Sequence, residues 1–303
     1  MAKAPKILCA GGAVQDIIMR VDDFPAAGSK VQASEFMSTS GGQAGNAAVA
    51  VARLGAQCSY IGALGDHDDE VANTIVKTFA GEGIDVSHAL RVPGARSSVS
   101  LIMIDKTGEK MIATRRDTGL KTATHPHPEA AVAGLDAVLL DNRYDTLTLP
   151  ICQAAQARNI PRVLDLDKPS SSGDPLVMGS THVIASAEAM RESTGLKDYG
   201  AALKKFSEVY KGFLAVTDGP AGCYWLDGGE VRHMDAFKVD AIDTLGAGDT
   251  FHGSFTVALG EGQPLTDAIR FASATAALKC IKFGGMTGAP NRAEVEAFLR
   301  ERS

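Results

Sequence analysis

The chain has 303 residues, 45% of them hydrophobic and 22% charged, a globular balance long enough to bury a core without a disulfide or metal staple. With 36 acidic against 30 basic side chains the formal charge is −6 and no Lys/Arg-rich block stands out, which excludes a nucleic-acid footprint and favours a small substrate. Five scattered cysteines (Cys9, Cys58, Cys152, Cys223, Cys280), never spaced CxxC, exclude a disulfide framework and a zinc site and fit a reducing cytoplasm.

Taken in chain order, residues 6–12 (KILCAGG) form a buried strand ending in glycines. Lys3 and Lys6 precede the apolar stretch 7–14, but it is short, contains Gly11 and Gly12 and runs into Asp16, so a strand is expected rather than a signal peptide. No apolar run reaches the roughly 20 residues of a membrane span. Short strand-like segments follow at 17–22 and 31–37, joined through Phe24-Pro25 and Gly28. After Gly41-Gly42-Gln43-Ala44-Gly45 the spacing predicts a helix over 46–54, closed by Gly55, and a strand over 58–61. A helix is expected at 69–80, strands at 97–104 and 110–115 hinged at Lys106-Thr107-Gly108, a helix at 128–133 and a strand at 137–140. A helix at 149–158, strands at 162–166 and 182–185, a helix at 199–210 and a strand at 213–217 complete the alternation. Continuous apolar strands between helices signal an α/β fold, layered around a mostly parallel sheet. The stretches 17–37 and 97–116 instead alternate apolar and polar residues, as in a small second β-sheet or lid with one open face. No internal repeat or long linker divides the chain, so one domain over 1–303 is expected.

The segment 240–255 (DAIDTLGAGDTFHGSF) carries the strongest chemistry. A helix starting at or near Gly248 after a glycine turn would gather the amides of Gly246, Ala247, Gly248 and Asp249 at a helix N-terminus, where an anion such as phosphate is favoured. Asp249 then has two readings: a first-turn acid satisfying the helix dipole, or a base aimed at a hydroxyl that attacks the bound anion.

DTLGAGD with its following Phe and small residues is similar to the C-terminal signature of the ribokinase or pfkB family of carbohydrate kinases. Gly41-Gly42-Gln43-Ala44-Gly45-Asn46 resembles that family's N-terminal glycine signature, and the two stand in the family's order. The resemblance implies a ribokinase-like three-layer α/β/α sandwich with a β lid, ATP with Mg²⁺ as donor, and Asp249 as catalytic base beside the Gly246, Ala247 and Gly248 amides. It further implies a sugar pocket at Asp16, Gly42, Gln43 and Asn46. Outside the resemblance, Asp16 reads as a turn acid and Asn46 as a helix cap. Thr217, Gly219 and Gly222 resemble the turn near the ATP phosphates and ribose, and Ala272 and Ala276 match the helix flanking adenine, although plain turns and close packing explain such residues equally. Asp243 matches a position that helps hold a monovalent cation such as K⁺ in some relatives. Leu245 supplies no side-chain oxygen there, which leaves that ion open.

One stretch departs from the pattern: Ser186-Ala187-Glu188-Ala189 stands where many relatives carry Asn-x-x-Glu for the Mg²⁺ network, with Glu188 shifted by one position. The C-terminal half looks closest to bacterial 6-deoxy-6-sulfofructose kinases. By that likeness Lys30 and Arg143 hold an anionic tail and Thr114 replaces a lid asparagine, although each cation also reads as a solvated surface charge. The activity implied is ATP-dependent phosphorylation of a primary hydroxyl of a ketose-type sugar, with O1 of 6-deoxy-6-sulfofructose as the specific form. Alternatives are a neutral ketose, a sugar acid, or a weakly catalytic sugar- or nucleotide-sensing protein. A nicotinamide-dependent dehydrogenase is disfavoured because no GxGxxG opens a strand-turn-helix unit. The pair His125 and His127 lies in a Pro-rich loop without a third ligand and reads as loop. The edges and apolar face of the lid sheet predict a homodimer through it.

Overall fold

A computed structural model describes residues 4–302, so Lys3 lies outside the described residues. The apolar runs become strands where they can be covered on both faces. β1 (Lys6–Ala10) is buried from Ile7 onward, β2 (Val14–Arg20) alternates buried and half-buried positions, and β3 (Glu35–Gly41) pairs with it antiparallel. The expected strand at 31–37 is therefore displaced: pairing of Arg20 with Glu35 and of Val14 with Gly41 sets the register, and Val31 is left in an exposed loop.

α1 (Gln43–Arg53) opens three residues before 46, because Gly42 at φ 89° turns the chain directly into the helix. β4 (Gln57–Ile61), β5 (Ala63–Leu64), α2 (Glu70–Gly81), β6 (Leu90–Arg91), β7 (Ser98–Ile104), β8 (Lys110–Arg115) and α3 (Pro128–Ala131) follow. After β9 (Ala137–Asp141), α4 (Asp145–Ala157) begins before the expected 149 and carries Pro150 inside it. That proline forfeits one bond, to the carbonyl of the exposed Thr146.

The chain continues through β10 (Arg162–Leu166), α5 (Pro175–Gly179), β11 (His182–Ser186), α6 (Ala187–Thr194), α7 (Tyr199–Ser207) and β12 (Phe213–Thr217). It ends with β13 (Cys223–Asp227), β14 (Glu230–Met234), α8 (Ala247–Gly260), α9 (Leu265–Cys280) and α10 (Arg292–Arg300). Sequence reading missed α5, α6, the β13–β14 hairpin and α10. α5 and α6 span only five and eight residues, too short for a helical period to show. α10 carried a legible start, the capping box of Asn291 and Glu294.

The eight-stranded sheet runs β14-β13-β12-β11-β10-β9-β1-β4, parallel from β12 to β4 with the hairpin added antiparallel. One face packs against α1, α8 and α9 through Val49, Phe255 and Phe271, the other against α4, α6 and α7 through Leu147, Met190 and Leu203. The result is a three-layer α/β/α sandwich. The second sheet runs β3-β2-β7-β8. Among the described residues no helix is long and apolar enough to cross a membrane.

Strand order reverses between β1 and β9, which opens a crevice at their carboxyl ends, where ligands of open α/β sheets bind. α8 reaches that crevice by lying close on α1: a Cβ at Gly253 would stand 2.6 Å from the carbonyl oxygen of Ala47. Gly253→Ala is expected to destabilise the fold by about 1–3 kcal/mol through overpacking, read as a lower urea midpoint with an unchanged m value.

Candidate active site

A cleft of about 310 Å³ lies over the crevice, between the carboxyl edge of the large sheet and the inner face of the small one. At its floor stands the amino end of α8. Gly246, in the left-handed conformation at φ 76°, precedes the helix and offers no side-chain cap. Among the described residues the amides of Gly248 and Asp249 donate to nothing, while Ala247 bonds Thr244 and Thr250 bonds Gly246. Two free donors and the helix dipole therefore face the cleft, an arrangement that attracts an oxyanion.

Asp249 is turned away from capping by Asn46 of α1, whose Nδ2 donates to its Oδ2 at 2.6 Å. Asn46 Oδ1 is buried and has no hydrogen-bond partner. Burial, helped by the charge of Asp165, pushes the Asp249 carboxyl up to about 7, against the stabilising bond from Asn46. Asp165 is itself pushed well above the usual carboxylate range by burial beside Asp167 and Asp141. His252, one turn below Asp249, has Nδ1 2.7 Å from the Gly248 carbonyl and Nε2 3.6 Å from Asp165 Oδ1.

The opposite wall is built by cross-strand rows of the small sheet. Asp16, Ser100 and Thr114 form one row, by the register Asp16 to Ser100 and Ser100 to Thr114. The two hydroxyls are 3.1 Å apart. Asp16 is raised to about 7 by burial first and by the Asp249 charge second, with a Ser100 hydrogen bond opposing. Its carboxylate occupies space that any side chain at position 41 would claim, since a Cβ on Gly41 would lie 1.9 Å from Asp16 Oδ2. Below this row lie Ile18, Ile102 and Ile112, and the edge strand adds Lys110 and, just beyond its end, Arg116. Neither of these cations has a hydrogen-bond or ion-pair partner among the described residues.

Arg143 also lines the cleft, but its guanidinium pairs with Asp167 and donates through Nε to Gln43 Oε1 at 2.7 Å, while Gln43 Nε2 donates to Asp167 at 2.9 Å. The turn carrying Arg143 is pinned by the buried Asp141, which accepts the Gly12 and Arg143 amides at 2.7 and 3.0 Å.

The structure thus brings Asp16, Gly42, Gln43, Asn46, Thr114, Arg143, Gly246, Gly248 and Asp249 to one cleft. Lys30 is exposed in the loop between β2 and β3 and is not part of the lining. Thr217, Gly219 and Gly222 lie at the carboxyl end of β12, on the same edge of the sheet. Gly222 is obligatory there: at φ 92° its Cβ would stand 2.1 Å from the Met234 carbonyl oxygen. On α9, Ala272 is fully buried in the core and Ala276 is half-buried. Glu188 is exposed in the first turn of α6, and Ser186 caps that helix by accepting the Ala189 amide. Asp243 is buried and bonded to Lys279, Leu245, Gly284 and Gly285. Sequence reading assigned no role to Lys110, Ser100, Asp167 or Arg116. The period-two pattern was the available signal, since a strand that aims Thr114 inward also aims residues 110 and 112.

The description "pfkB family carbohydrate kinase" belongs to the family model that matches residues 4–292. The chain is 30% identical to the ribokinase of Haemophilus influenzae, with 94% of this chain and 95% of that protein covered. It is 26% identical to the ketohexokinase of Mus musculus over 91% and 96% of the two chains. A crystal structure from Agrobacterium tumefaciens superposes with a TM-score of 0.94 at 38% identity, covering 99% of both chains. The ribokinase of Thermotoga maritima superposes with a TM-score of 0.81 at 26% identity, covering 98% of this chain and 99% of that one.

If Asp249 is the base, Asp249→Asn lowers kcat by about 10²-fold or more. Steady-state kinetics at saturating nucleotide measure it, and near-normal turnover refutes the role. A base near 7 works ionised, so kcat/KM falls as pH drops below about 7, approaching tenfold per unit, and levels off above it. A profile flat from pH 8 to 5.5 contradicts this.

Proposed function

This chain belongs to the pfkB family of carbohydrate kinases, and from that premise we propose that its acceptor is a ketose-type sugar with an anionic group at its far end, phosphorylated on a primary hydroxyl. As a family member it is a sugar phosphotransferase that uses ATP. The observation that carries the finer reading is the pairing, in one cleft, of Asp249 at the uncapped end of α8 with two unpaired cations, Lys110 and Arg116, on the lid.

On this reading, Asp16 accepts hydrogen bonds from vicinal hydroxyls and Asn46 Oδ1 accepts another, which holds the sugar with one hydroxyl against Asp249. Asp249 takes that hydroxyl's proton as its oxygen attacks the γ-phosphorus in line and the bond to the leaving ADP oxygen breaks. The free amides at the start of α8 stabilise charge on the transferring phosphoryl group, so catalysis is positioning plus electrostatics. The turn at Thr217, Gly219 and Gly222 and the helix face near Ala276 border the nucleotide. Mg²⁺ bound with ATP needs few protein oxygens, and Asp167, a carboxylate facing the cleft, fits such a partial ligand set. Glu188 would reach that ion only indirectly. The ion supplies charge neutralisation on the phosphoryl oxygens.

Lys110 and Arg116 suit a sulfonate, carboxylate or phosphate at the end of the sugar remote from the attacking hydroxyl, and Arg143 would join them only by leaving Asp167. 6-Deoxy-6-sulfofructose, phosphorylated at O1, has this layout. Lys30 would take part only through its loop. Five unpaired cysteines suit a cytoplasmic setting. The outer face of the lid carries Ile17, Met19, Phe36, Leu101 and Met111, an apolar surface that a second copy of the chain would cover in a homodimer.

The decisive test is ADP release with Mg-ATP across sulfofructose, fructose, fructose 6-phosphate, a 2-keto-3-deoxy sugar acid and ribose. An anionic ketose is expected to win, and Lys110→Ala and Arg116→Ala to raise its KM by about tenfold or more while kcat holds. Preference for a neutral sugar, untouched by either substitution, overturns the anionic reading and leaves the sugar kinase. Light scattering is expected to give twice the chain mass, and Phe36→Glu with Leu101→Glu the single-chain mass. A single-chain mass for the unmodified protein refutes the dimer.

A further inference from the structure

Behind the amino end of α8 lies a buried charge that the proposed chemistry does not use. Lys279, in the last turn of α9, has no solvent exposure. Its Nζ donates to the main-chain oxygen of Asp243 at 2.8 Å and stands 3.2 Å from Asp243 Oδ2. The Asp243 carboxylate also accepts the amides of Leu245 at 2.7 Å, Gly284 at 2.8 Å and Gly285 at 3.2 Å. The main-chain amides of Ile242 and Asp243 donate to the carbonyl of Cys280 at the end of α9. Lys279 and Asp243 therefore tie the segment that becomes Gly246 and the α8 amides to the loop after α9. A buried ammonium is retained only where oxygen partners repay its desolvation, and a carbonyl plus a carboxylate do so here.

A monovalent cation at Asp243, the ion left open by the sequence, fails the test of fit. Its natural ligands would be the carbonyl and carboxylate oxygens of Asp243, and both face the Lys279 ammonium instead. Leu245 adds a hydrocarbon where a further oxygen would be required. We propose that the ammonium of Lys279 is a built-in monovalent cation that holds the anion-binding turn in shape, and that the enzyme consequently needs no potassium. The group that carries the charge is covalently part of the chain and is not drawn from the salt around the protein; burial lowers the ammonium's pKa, and the neighbouring Asp243 opposes that shift.

The experiment compares the full-length protein in potassium-free tetramethylammonium buffer and in KCl at matched ionic strength. The rate arm rests on the kinase reading and uses whichever sugar is turned over. The melting arm does not depend on that reading. For the unmodified protein kcat/KM is expected to differ by less than about twofold, with the same melting temperature in both salts; a potassium stimulation of about twofold or more, or melting raised by potassium but not by sodium, overturns the proposal. Lys279→Ala opens a pocket with its oxygens exposed, so potassium or methylammonium is expected to raise its melting temperature and restore part of its lost turnover. Lys279→Met, filled by a neutral chain, is expected to show neither effect. Turnover of both variants equal to the unmodified protein in potassium-free buffer also overturns the proposal, and if neither variant folds, the salt comparison on the unmodified protein decides.

Discussion

Everything in the cleft depends on leaving one helix end unsatisfied. An ordinary N-cap would be worth roughly 1 kcal/mol to α8, yet Gly246 supplies none and the first acid of the helix, Asp249, is held off the amides by Asn46. The uncapped amides can then receive an anion, and the carboxylate is free to face a hydroxyl. Keeping the turn open without its own cap requires support from behind, and Asp243 with Lys279 provides it from buried positions. The polar groups around the site serve this arrangement more than they serve stability.

The acids make the electrostatic cost visible. Asp16, Asp165 and Asp249 all sit above the usual carboxylate range, chiefly because burial disfavours their charge, and for each a neighbouring acid adds to it. Asp141, also raised by burial, and Asp243, which despite burial is held below the usual range by Lys279 and main-chain amides, each accept two or more main-chain amides. The amides let those two carboxylates act as fixed anchors for turns, while Asp16 and Asp249 stay proton-responsive. A base near 7 matches proton transfer from a sugar hydroxyl better than an ordinary aspartate would.

Much of this was legible in the amino-acid order, for identifiable reasons. The parallel strands are short, mostly apolar runs set between helical stretches, so 137–140, 162–166 and 213–217 are recovered almost residue for residue. The glycine turn before Asp249 and the Gly41–Asn46 stretch are local signals, and both line the cleft. What was not legible depends on pairing. β3 slid by four residues because its partner β2, not its own composition, sets the register, and the cations over the cleft lie on β8 and just past its end rather than on the loop at Lys30. Contacts between residues far apart in sequence, such as Lys279 with Asp243, leave no periodic trace.

The alternation of β8 gives one short strand two independent surfaces. Lys110, Ile112 and Thr114 turn inward, whereas Met111, Ala113 and Arg115 turn out. On the proposed reading of the cleft, a single substitution at an even position re-tunes what it accepts and leaves the outer face and the amides of α8 untouched. A one-residue insertion or deletion in this strand exchanges the two surfaces at once. On that reading, a change in acceptor range is open to point replacement at the inward positions and closed to a shift of register.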